Sequence, residues 1–87
     1  MKTKSIKIGM TRLWLVFETL VIYKENKLEE SNAFLCYFNF SLPLQIPYGE
    51  LILDENNIPK LFRDEGEAVI YASSYLKKRF KEKYRNS

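Results

Sequence analysis

The chain has 87 residues, of which 46% are hydrophobic, 15% aromatic and 29% charged, with a formal net charge of +3. Those values describe one folded domain over residues 1–87, not a disordered chain, and the apolar run Leu13 to Tyr23 is too short to span a bilayer and carries Glu18 at its middle. There is no histidine and one cysteine, which excludes imidazole bases, Ser-His-Asp triads, multi-thiolate zinc sites and internal disulfides.

The first predicted element is a short strand over "SIKIGM", where Ile6, Ile8 and Met10 alternate with other residues. Gly9 permits a turn or bulge near its end. "RLWLVFETLVIYK" follows, rich in β-branched and aromatic residues and apolar on both parities, so it reads as a long strand. One parity is Leu13, Leu15, Phe17, Thr19, Val21 and Tyr23. The other is Trp14, Val16, Glu18, Leu20, Ile22 and Lys24; it carries the charges and is expected to face outward or meet a partner.

"KENKLEESN" is polar and reads as a turn. "AFLCYFNFSL" is the next strand, with Phe34, Cys36, Phe38, Phe40 and Leu42 on its core face. Cys36 is expected to be a small core residue, and a lone thiol with no disulfide fits a reducing cytoplasm. Pro43 ends the ladder, and "PLQIPYG" is an irregular connection. "ELILD" is a short strand, "ENN" a turn, and "IPKLF" a short extended edge segment marked by Pro59.

The helix start is the clearest local signal. Asp64 is placed to cap it, with Glu67 three residues on, and Asp64, Glu65 and Glu67 put negative charge at the positive end of the helix dipole. The helix is predicted from about Glu65 to about Tyr84. Ala68, Val69, Ala72, Leu76 and Phe80 fall on its buried arc, and Lys77, Lys78, Lys81 and Arg85 on an opposite stripe. Arg79 and Lys83 fall on the apolar side by phase; either their stems snorkel over the sheet edge or the helix projects past the sheet.

Strands followed by one helix predict an α+β fold: a twisted antiparallel sheet of about four to five strands with one C-terminal helix packed on one face. Trp14, Val16, Leu20 and Ile22 then form an apolar patch on the other face, expected to be an interface, with a homodimer as the first expectation.

Catalytic equipment is sparse. Glu18 within an apolar run reads as an edge or exposed carboxylate rather than a desolvated base. "DENNIP" lacks the ligand and glycine positions of a calcium loop, and the three glycines form no phosphate-cradling loop. The expectation is a cytoplasmic binding protein, not an enzyme, with no cofactor and no bound metal.

Charge distribution ranks the partners. Residues 24–67 hold four cations and nine acids, whereas residues 68–87 hold six cations and one acid. Lys77, Lys78, Arg79, Lys81, Lys83 and Arg85, joined by Lys4 and Lys7 if the first strand lies near the helix end, would grip a nucleic-acid backbone (RNA or DNA) without reading sequence. The alternative is a protein–protein inhibitor or regulator of a host enzyme or defence system. A composition rich in Lys, Ile, Asn, Phe and Tyr, as in AT-rich bacteria and their phages, favours that alternative and suggests a phage or mobile-element origin.

Overall fold

The computed structural model describes residues 2–40 and 49–85, the side chains of 82–85 excepted. Five strands and one helix follow in chain order: β1 (Lys2–Ile8), β2 (Thr11–Lys24), β3 (Lys27–Asn39), β4 (Glu50–Leu51), β5 (Leu61–Phe62) and α1 (Glu65–Arg85). The sheet order is β1-β2-β3-β4, every pairing is antiparallel, and β5 also pairs with β3. β2 occupies one edge of β3, so β4 and β5 lie end to end along the other. The α+β architecture with a single C-terminal helix is as the strand–helix order dictates.

Local chemistry accounts for each boundary. β1 and β2 are joined by Gly9, whose φ of +62° suits a residue without a Cβ. Gly49 enters β4 at φ +117°, and a Cβ there would sit 2.2 Å from the Phe38 carbonyl oxygen, so only glycine fits. In the turn between β4 and β5, Asp54 Oδ1 accepts the N–H groups of Asn56 (2.8 Å) and Ile58 (3.0 Å). Asp64 caps α1 as expected: its Oδ2 accepts the Glu67 N–H at 3.1 Å, satisfying one of the donors that a helix start leaves without a partner.

The core lies between α1 and one sheet face. Ile8, Leu13, Leu15, Phe17, Cys36, Phe38, Ile52 and Phe62 come from the strands, and Ala68, Ala72 and Leu76 from the helix. The two alanines let α1 approach the sheet closely, and each large side chain fully buried here contributes roughly 1.5–3 kcal/mol. Phe34 closes one end, its ring 5.2 Å from Phe17 in an edge-on arrangement. Tyr71 packs against Phe62 at 5.5 Å while its hydroxyl donates to the Leu53 carbonyl at 2.8 Å, so a partly buried phenol keeps its partner.

Two expectations are corrected. Phe40 shares the parity of Phe38 but is 57% exposed, because β3 ends at Asn39 and the alternation no longer holds beyond it. Leu42 lies outside the described residues. The second correction concerns "KENKLEESN", which is not a loop. β2 and β3 continue pairing through it, with Val21 opposite Glu30, Ile22 opposite Glu29, Tyr23 opposite Leu28 and Lys24 opposite Lys27. Only Glu25 and Asn26 form the turn, both with positive φ (52° and 64°), the conformation that matches the right-handed twist of a two-residue hairpin.

The outcome is a hairpin arm. Every residue from Val21 to Glu30 is exposed. The register shifts between Thr19 and Val21, and the Ser31 hydroxyl serves the backbone there, accepting from the Ala33 N–H (3.1 Å) and donating to the Ala33 carbonyl (3.2 Å). The molecule measures 52 × 29 × 22 Å with a radius of gyration of 14.2 Å, against roughly 12 Å for a compact chain of this length. The projecting arm accounts for part of that elongation.

Candidate interaction surfaces

The predicted basic surface divides into separate parts. Lys77, Lys78 and Lys81 are exposed on α1, as their phase requires. Lys83 and Arg85 belong to the same helix, with side chains beyond the described ones. Arg79 snorkels: its guanidinium lies 5.5 Å over the Phe38 ring and 3.4 Å from Glu50 Oε1, so β4 supplies a carboxylate to it. Lys78 and Arg79 also line an open groove with Asp54 and Glu55, which sets acids beside those cations. Burial, then those two carboxylates, push the Tyr71 phenol in the same groove above its usual pKa.

The first of the amino-terminal lysines meets the start of α1. Lys2 Nζ lies 3.0 Å from Glu65 Oε1, at the start of α1 rather than its end. Lys4 shares the helix-side parity of Ile6 and Ile8 on β1, whereas Lys7 has the opposite parity and is paired with Arg12 at the far end of the strand. Lys4 and Lys7 therefore point to opposite faces of the sheet, so only Lys4 shares the helix side.

The sheet face away from α1 is the larger feature. Trp14, Glu18, Leu20, Leu35, Tyr37 and Leu51 are half-exposed there, and Leu61 is 51% exposed. Among the described residues no helix or strand covers them. Val16, expected at the interface, is 0% exposed, and Thr3 and Tyr37 are its cross-strand partners. It supports the surface without being available to touch a partner. Ile22 is 45% exposed, but on the arm. At mid-face, the Tyr37 hydroxyl donates to Glu18 Oε1 at 2.9 Å, which fixes a carboxylate among apolar side chains.

The arm is the surface that sequence reading missed. Val21 (55% exposed), Tyr23 (69%) and Leu28 (74%) share its helix-side face, beyond the point where α1 begins. The signals were present: apolar residues on both parities as far as Tyr23, and an asparagine within a four-residue polar segment. What concealed them was the polar character of Lys24 to Asn32, which is what a strand without a core to face looks like.

Cys36 is fully buried, and that burial pushes its thiol up to about 12, so it is not poised as a thiolate at neutral pH. Among the described residues, no group of three or more His, Cys, Asp or Glu side chains comes together as metal ligands would, and no helix is long and apolar enough to cross a membrane. No protein-family model matches the chain, and comparisons with curated proteins and with solved structures find no match.

Proposed function

We propose that the chain is a non-catalytic protein-binding module that engages another protein through its hairpin arm. One observation carries this reading: Val21, Tyr23 and Leu28 are presented together on a two-stranded projection that contributes nothing to the core. A two-stranded hairpin is at best marginal in water, and exposed apolar side chains on a projecting element are what interfaces use. Occlusion of a partner's surface, as an inhibitor or regulator does, requires no catalytic group. The test is crosslinking of the wild-type chain in extract of its source cells, compared with the double variant Val21→Asp/Leu28→Asp. The expected result is a discrete crosslinked protein that disappears with the arm variant and survives Lys77→Glu/Lys78→Glu/Lys81→Glu. A partner retained equally by the arm variant overturns the reading.

A second reading keeps the nucleic-acid backbone as ligand. Its support is that Lys77, Lys78 and Lys81 are exposed and make no ion pair among the described residues. It requires affinity for RNA or DNA that falls steeply with salt and is lost in the triple lysine variant. The pairing of Arg79 with Glu50 and of Lys2 with Glu65 reduces the cations that such a ligand would meet, which is why the arm ranks first.

A further inference from the structure

The sheet face away from α1, which no described helix or strand covers, carries a charge pattern that matches itself. Along β2 the residues facing away from α1 are Arg12, Trp14, Val16, Glu18 and Leu20, alternating with the core residues Leu13, Leu15 and Phe17. Arg12 and Glu18 lie three residues to either side of Leu15, each about 10 Å from it at the usual strand rise. The flanking residues follow the same spacing. Trp14 and Val16 are one residue to either side of Leu15. Met10, 95% exposed in the β1–β2 turn, and Leu20 are five residues to either side.

We propose that this face is the interface of a two-fold dimer of the chain, in which Arg12 of each copy meets Glu18 of the other. The axis lies between the two stacked sheets, across the strands, at the level of Leu15. It brings the Trp14 residues of the two copies within one residue of the axis and sets the exposed Met10 onto the partner's Leu20. An axis along β2 would instead set Arg12 on Arg12 and Glu18 on Glu18, so like-charge repulsion selects the crosswise one. Packed sheets are rotated by about 30°, which moves a group 10 Å from the axis sideways by about 5 Å, within the reach of an arginine side chain. Glu18 already accepts from the Tyr37 hydroxyl, and a carboxylate has lone pairs for a guanidinium as well.

Size is consistent with this occupant. Four strand positions at about 4.8 Å spacing and eight residues at about 3.3 Å rise give on the order of 500 Å² of projected face per copy. Accessible area exceeds projection on a corrugated surface, so two copies bury on the order of 1,000 Å² or more, where specific interfaces begin. The arms extend past the partner's sheet and stay free, so this inference does not depend on the function proposed above.

The test is sedimentation of the full chain from about 1 µM to about 500 µM, where mass action drives association, together with emission from Trp14, the only tryptophan. The expected result is a monomer–dimer equilibrium accompanied by a blue shift of Trp14. Arg12→Glu and Glu18→Arg each weaken association tenfold or more, and the double reversal Arg12→Glu/Glu18→Arg restores it. Lys77→Glu, a charge change on the opposite side, leaves it unaltered. Circular dichroism at the lowest concentration separates loss of association from loss of fold. A wild type that stays monomeric throughout, single reversals with unchanged affinity, or a double variant as weak as the single ones overturns the proposal.

Discussion

Tyr37 on β3 donates a 2.9 Å hydrogen bond to Glu18 on β2, one strand away and on the face that α1 leaves bare. The contact spans 19 residues of sequence and joins the two longest strands. Hydrogen bonds to ionised acceptors contribute roughly 1.5–3 kcal/mol when buried, less where solvent competes. Tyr37→Phe is therefore expected to cost about 1 kcal/mol in a urea melt while leaving the far-UV circular dichroism unchanged. A stability within experimental error of wild type would mean that water serves Glu18 equally well.

Helix initiation gives a second prediction. Asp64 both accepts the Glu67 N–H and adds negative charge at the start of the helix dipole. Asp64→Ala is expected to lose about 1 kcal/mol, and Asp64→Asn, which keeps the capping oxygen, only part of that. Equal losses for the two would assign the whole effect to charge.

Cys36 supplies a pH dependence. Burial raises the folded thiol to about 12 from an ordinary value of 9.0. A neutral thiol in the fold and a thiolate in the unfolded chain means that unfolding releases a proton above pH 9. Its contribution to stability is thus fully present below pH 9 and is lost progressively as pH rises toward 12. The decline in stability between those limits is expected to be shallower in Cys36→Ala than in wild type, by denaturant melts at matched pH. The same burial predicts that a thiol reagent reacts with the native chain only as fast as the core opens.

Hydrogen exchange distinguishes arm from body. The backbone amides of Leu13–Phe17 and Leu35–Phe38 sit in the central ladder under α1 and are expected to exchange slowest, at rates set by global opening. Those of Val21–Glu30 have one partner strand and no core, and are expected to exchange many-fold faster in the free chain. Equal protection in both regions would show that the arm folds as one unit with the core.

The parts of this fold that were legible in the sequence are those where local chemistry and burial agree. Asp64 with Glu65 and Glu67 marked the helix start, and the alternation of Leu13, Leu15 and Phe17 marked the core face. The phase of Arg79 allowed either a snorkelling stem or a helix projecting past the sheet, and its contacts with Phe38 and Glu50 fit the first. Convergence of the termini was not legible, because it depends on which end of α1 the first strand approaches, and spacing within one element says nothing of that. The arm was concealed for a related reason. Amphipathic alternation records a core, so a strand outside the core has no pattern to display, and Lys24 to Asn32 resembled a loop.

The placement of that arm has a bearing on how the chain can diversify. Its register is separated from the body by the irregularity at Ser31, and its tip is a two-residue turn. Adding or removing two residues from each strand beside Glu25 and Asn26 keeps a hydrogen-bonded pair at the turn, changes the reach by two strand rises and leaves the pairing of Thr19 with Phe34 untouched. Removing a single residue from one strand alone would exchange the two faces of everything beyond it on that strand. Reach is thus adjustable in matched pairs without repacking beneath α1, which makes a projection of this kind a natural place for related chains to differ in length.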